Sequence, residues 1–141
     1  MTTEQLAALV PKEIATLSSR PLFAFQIDVR KPDIVGATPG YDRRIGEITG
    51  GRFEGPRLRG TVLTGGSDWQ SLRRDGATTI NVRLLLKTDD DALIAMTYLG
   101  VRHGPQTVLD RLARGEAVNP SESYMRVTAT FETAAERYDW L

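Results

Sequence analysis

The amino-acid sequence predicts an all-β domain with minor helices, built as a small closed antiparallel barrel. Apolar residues recur at every second position through several stretches, most clearly over 22–29, 77–87 and 124–133, the period of a strand with one buried face. Turn signals separate these stretches roughly every ten residues, giving about seven to nine short strands, as in a sandwich or barrel. The helices that parallel crossovers require are missing.

The chain starts differently. Leu6, Leu9, Val10, Ile14 and Leu17 recur at three- and four-residue spacing, and Thr2 with Gln5 fits a capping box. Pro11 either starts a second short helix or kinks a continuous one. Residues 1–20 therefore read as an N-terminal helical extension and 21–141 as the barrel domain. From there Phe23, Phe25, Ile27 and Val29 alternate with Ala24, Gln26, Asp28 and Arg30. The stretch 31–40, with two prolines and two glycines, reads as turn, and strands are expected at 42–49, 57–63 and 69–74.

Asp75-Gly76 is the strongest hairpin signal. The strand after it places Ile80, Val82, Leu84 and Leu86 on one face and Asn81, Arg83 and Leu85 on the other. Asp89-Asp90-Asp91 makes the next turn, and 92–99 returns. One short helix is expected at 106–114, with Pro105 in its first turn and Gly115 at its C-terminal cap. A long strand follows at 124–133, and 138–141 begins another.

At 141 residues the chain suits one hydrophobic core. It has no cysteine, which removes disulfides, thiolate metal sites and a thiol nucleophile. Eighteen basic residues balance 18 acidic ones, so a nucleic-acid partner is not expected. No apolar run is long enough to span a bilayer. The N-terminus carries no basic region ahead of an apolar core, so the expected location is cytoplasmic.

Several blocks carry a resemblance. They are Ile48-Thr49-Gly50-Gly51-Arg52-Phe53-Glu54-Gly55-Pro56-Arg57-Leu58-Arg59-Gly60, Gly65-Gly66-Ser67-Asp68-Trp69, Thr88-Asp89-Asp90, and Tyr98-Leu99-Gly100-Val101-Arg102-His103-Gly104. Near the end, Phe131-Glu132-Thr133-Ala134-Ala135 and Tyr138-Asp139-Trp140-Leu141 belong with them. From about Pro21 onward the chain resembles the DUF-3237 family of small barrel proteins. The resemblance implies a closed antiparallel barrel that commonly self-associates, as a homodimer or higher homo-oligomer. It implies no settled activity.

Chemistry in a barrel belongs to polar residues on the inward parity of its strands. Asp68 beside Trp69 is the first candidate pair. A carboxylate after a glycine-rich turn, next to a large aromatic, can serve as a general base against a flat organic substrate, and burial would raise its pKa. The competing reading is a turn aspartate beside a core tryptophan.

Asn81 and Arg83 bind substrate only if the polar face of their strand is the lumen; ordinary patterning favours the aliphatic face inside. Only the polar-lumen arrangement is expected to leave much room for an enzyme. Arg102 is a candidate anion anchor, helped by the N-terminus of the helix after it. His103, the sole histidine, is a candidate acid–base group, though a solvent-facing loop position is the commoner fate. Tyr98 and Tyr124 could donate hydrogen bonds to a developing oxyanion, or simply pack at a barrel rim.

The three aspartates lack the ligand spacing of a calcium loop, so no metal is expected there. The glycine pairs are not followed by the Lys-Ser/Thr of a phosphate-binding loop, and no nucleophile elbow occurs. The expected function is a cofactor-independent small-molecule enzyme performing proton transfer or addition–elimination on a carbonyl-bearing organic acid, aromatic acids included: an isomerase, cyclase, lyase or hydratase. Its alternatives are a non-catalytic ligand-binding barrel and a self-associating structural module.

Overall fold

The structure is a computed structural model that describes residues 8–14 and 16–141. Among the described residues eight strands follow one another: β1 (Ala24–Val29), β2 (Asp33–Ala37), β3 (Tyr41–Glu54), β4 (Arg59–Val62), β5 (Gly66–Arg73), β6 (Thr78–Thr88), β7 (Leu93–His103) and β8 (Tyr124–Glu132). The helix α1 (Gln106–Ala113) lies between β7 and β8. All strand pairs are antiparallel.

Strand β3 is the spine of the sheet. Its first half pairs with β2 on one edge and β5 on the other, and its second half pairs with β1 and β4. Strand β6 then joins β4 and β5 to β7, and β7 pairs with β8. One strand can serve four partners because it bends midway, at Thr49-Gly50-Gly51. Asp28 pairs with Gly50 and Val29 with Ile48, so Thr49 is skipped as a bulge, which sharpens the local twist. Gly51 sits at φ +145° with the Gln26 carbonyl so close that an added Cβ would lie 2.2 Å from it. Both the backbone angle and the contact demand glycine there.

The hydrogen-bonded path runs from β1 to β8, and among the described residues these two strands share no ladder. The expected closed ladder is therefore not found. Aromatic side chains span the gap instead. The Phe23 ring lies 6.2 Å from Phe131 and the Phe25 ring 6.0 Å from Tyr98, both edge-on, a geometry worth about 0.5–1.5 kcal/mol per pair beyond burial. The sheet thus curls until β1 faces β7 and β8.

Burial settles the parity of β6. Thr78, Ile80, Val82, Leu84, Leu86 and Thr88 point inward, whereas Asn81, Arg83 and Lys87 are exposed. The apolar face is the core, as period-two patterning favours.

Four segments differ from the sequence expectation. Of the N-terminal helix, Thr2, Gln5 and Leu6 lie outside the described residues; Lys12–Ile14 forms one 3-10 turn, with Leu9, Val10, Ile14 and Leu17 exposed. Without a surface to bury its stripe, so short a helix is marginal. The turn-rich 31–40 contains strand β2, which bulges at Val35 against β3, with Gly36 beside it at φ +95°. Strand β7 runs on to His103, so Arg102 and His103 are strand residues rather than loop. Instead of a last strand, Glu136–Tyr138 forms a 3-10 turn with Tyr138 buried. Its hydroxyl donates to Asp90 Oδ1 at 2.9 Å, and Arg137 pairs with the same carboxylate. No helix among the described residues is long and apolar enough to cross a membrane.

Candidate functional site

The ladders arrange the inward side chains in rows. Gly46, Asp68, Val82 and Tyr98 form one row across β3, β5, β6 and β7; Arg44, Gln70, Ile80 and Gly100 form the next; Leu72, Thr78 and Arg102 lie beyond. Strand parity thus brings Asp68, Gln70, Arg44, Tyr98 and Arg102 to one end of the interior. They line a cavity of about 730 Å³ with Ile27, Val29, Ile80 and Met125. Its rim comprises Arg30, Lys31 and Pro32 on one side and Leu112, Ala113, Arg114 and Gly115 on the other.

Asp68 is buried. Its Oδ2 accepts a 2.6 Å hydrogen bond from Gln70 Nε2, while its Oδ1 is buried with no partner. Burial raises its pKa above the ordinary carboxyl value; the Gln70 hydrogen bond and the Arg102 charge oppose that rise. Gln70 therefore fixes one oxygen of the carboxylate, and the second is enclosed at the cavity wall without a partner. A buried oxygen left unsatisfied costs about 1–3 kcal/mol, an expense tolerated where a ligand completes the bond.

Arg102 has a buried Nε without a partner. Burial lowers its pKa, the Asp68 charge raises it, and the Arg44 charge lowers it again. Tyr98 is buried, and desolvation followed by the Asp68 charge raises its pKa. Its phenol stays protonated at neutral pH and remains a donor.

Of the sequence candidates, Asp68, Tyr98 and Arg102 converge here. The others do not. Trp69 follows Asp68 by one residue and so faces outward, 46 % exposed, with its indole N–H donating to Ser67; a strand cannot place neighbours on one face. Asn81 and Arg83 are exposed on the outer face for the same reason. His103 and Tyr124 pair across β7 and β8, both exposed and absent from the cavity wall. The end of α1 at the rim is its C-terminus, so the helix's positive pole does not assist Arg102. The aliphatic parity of β6 also leaves room after all, because β3, β5 and β7 supply the polar wall.

Arg44 and Gln70 are the residues the sequence reading missed. Parity along β5 would have found Gln70, two residues from Asp68. Arg44 sits in the run Asp42-Arg43-Arg44, where polarity marks no inward face.

Comparison with known proteins then places the chain. The family model described as "Protein of unknown function (DUF3237)" matches residues 17–141. The chain belongs to that family. A UPF0311 protein of Clostridium acetobutylicum is 33% identical over 129 residues, covering 91% of this chain and 82% of that protein. A UPF0311 protein of Rhodopseudomonas palustris is 35% identical over 121 residues, covering 84% of this chain and 79% of that one.

Among solved structures, a protein of unknown function from Rhodopseudomonas palustris superposes with TM-score 0.76 at 31% identity, covering 86% of this chain and 84% of the other. A protein from Acinetobacter baumannii described as β-barrel like gives TM-score 0.65 at 36% identity, with coverage of 88% and 84%. A Penicillium herquei protein described as an enzyme gives TM-score 0.61 at 23% identity, covering 88% and 81%, a likeness of fold alone. The DUF3237 chain is thus a mostly antiparallel, barrel-like protein.

Proposed function

We propose that this chain is a cofactor-independent enzyme that moves a proton on a carbonyl-bearing organic acid held in the cavity. The observation that carries the reading is Asp68: one oxygen anchored by Gln70, the other buried, unpartnered and set in a cavity wall. A carboxylate with a raised pKa is a better match to a carbon acid or a leaving hydroxyl at neutral pH than an ordinary one.

The step is a conventional one. The Asp68 carboxylate takes the proton from the carbon beside the substrate carbonyl. The C–H electron pair moves into the carbonyl and leaves an enolate oxygen, to which the Tyr98 hydroxyl donates a hydrogen bond. The protonated Asp68 then returns its proton, either to another carbon in an isomerisation or to a departing hydroxyl in a dehydration. Arg102 holds the acid group, its guanidinium fork matching two oxygens.

The test is deuterium incorporation from D2O into a panel of carbonyl-bearing acids, followed by NMR. Asp68→Asn should lower exchange by about a hundredfold or more while the protein stays folded. Equal exchange by both proteins sinks the proposal. An acid that binds both proteins and returns unaltered from each points to a ligand-binding barrel instead.

A further inference from the structure

The cavity wall carries two cations and one carboxylate: Arg44, Arg102 and Asp68. The other charges around it lie at the rim. Arg30 is paired with Asp33 and Glu47, and Arg114 with Glu116, whereas Lys31 is exposed to solvent. The wall therefore holds one positive charge in excess, in a recess where water screens charge weakly.

We infer that Arg44 and Arg102 act together as a clamp for a single carboxylate, and that the cavity is matched to a singly charged acid with an apolar, ring-sized body. This inference rests on the acid-binding reading of the site and goes beyond it in two respects. It adds Arg44 as the second half of the anchor, and it fixes the charge of the ligand. Arg44 lies across Gln70 from Ile80, one row nearer Asp68 than Arg102 is. Each guanidinium raises the cost of burying the other, and a carboxylate between them would remove that cost. Arg102, whose Nε is buried and unpartnered, would donate to it from its guanidinium.

A second negative charge on the ligand would face Asp68 with no cation of the inner wall left to offset it. The remaining wall, Ile27, Val29, Ile80 and Met125, would take an apolar body. The cavity is also within the size range of small-molecule sites.

The experiment is calorimetric titration of the intact protein with three probes: benzoate, phthalate and monomethyl phthalate. The monoester has nearly the bulk of phthalate and the charge of benzoate, which separates size from charge. Benzoate and monomethyl phthalate should bind more tightly than phthalate. Arg44→Gln should weaken benzoate by about tenfold or more, as expected for losing a charge-assisted hydrogen bond. Arg44→Lys, which keeps the charge and loses the fork, should fall between. Asp68→Asn leaves two uncompensated cations and should shift the preference towards phthalate.

Failure of benzoate to bind, phthalate binding as tightly as its monoester, or benzoate affinity unchanged in Arg44→Gln would each overturn the inference. Thermal unfolding of each variant verifies that the protein compared is folded; if Arg44→Gln does not fold, Arg44→Lys and the three-probe ranking in the unsubstituted protein decide. The outcome is separable from the proton-transfer reading. Charge selection can hold with no turnover, and Asp68-dependent exchange can hold with no charge selection.

Discussion

The two ends of the interior are built from the same strands and could hardly differ more. At one end Leu84 pairs with Met96 and Met96 with Phe131, while Leu86 pairs with Ile94 and Val62. Leu86 and Ile94 are fully buried, and Phe53 and Leu58 close the layer. At the other end the inward positions of the same and neighbouring strands hold Arg44, Gly46, Asp68, Gln70, Gly100 and Arg102. Small and polar side chains there leave the volume that large apolar ones fill at the first end. Stability is concentrated in one half so that the other can carry unsatisfied polar groups.

The largest effect that should sharpen this contrast comes from truncating matched residues at the two ends. Ile94→Ala should cost about 2–5 kcal/mol, because the dense layer cannot collapse around the void. Ile80→Ala, which only enlarges an existing cavity, should cost clearly less; urea denaturation of both measures the gap. Equal losses would mean that the open end is packed as tightly as the other.

A smaller effect of opposite sign is expected at Asp68. Its folded-state pKa is raised above the ordinary 3.8, first by burial. The protonated form is therefore favoured by folding, and that contribution is complete below about 3.8 and lost as pH rises through the raised value. Asp68→Asn should melt a few degrees higher than the unsubstituted protein at neutral pH, with the difference shrinking in acid. A melting temperature lowered at neutral pH would count against the carboxylate being a stability burden.

Asp90, at the packed end, should behave in the reverse sense. Its pKa is lowered to about 2, chiefly by the 2.5 Å hydrogen bond from the Thr88 hydroxyl, with Tyr138 and Arg137 adding to it. Its contribution is present above the ordinary carboxyl value and lost as pH falls through about 2. Tyr138→Phe should move the acid limb of an unfolding titration upward, and an unmoved limb would show the tyrosine bond to be idle.

The smallest effect belongs outside the barrel wall. Arg83→Ala and Asn81→Ala should change stability by no more than about 0.5 kcal/mol and leave any Asp68-dependent exchange untouched.

Most of the strand order was legible because alternation survives wherever one face is dry, as in Ile80 to Leu86. Strand β2 was hidden because its residues, apart from Gly36, are exposed, and an exposed strand has no apolar period to display. The candidate site was half legible. Asp68, Tyr98 and Arg102 announced themselves by residue type, but deciding which neighbours share their cavity required the face of each strand. Trp69 and His103 illustrate the point, since each is adjacent in sequence to a cavity residue and turned away by the pleat. The absence of hydrogen-bonded closure could not be read either, because Phe23 and Phe25 look alike whether the rings bridge a seam or line a continuous ladder.

The arrangement of one sealed end and one open end has a consequence for traffic. If the cavity opens only between Lys31 and Arg114, two of its lining residues, arrival and departure must use the same path. A substrate must enter body first if its acid group is to stop at Arg44 and Arg102. If the chemistry divides the molecule, the piece nearer the rim has to leave before the deeper one can follow. Sequential release, read as one product inhibiting competitively and the other not, would be the kinetic signature of a well rather than a tunnel.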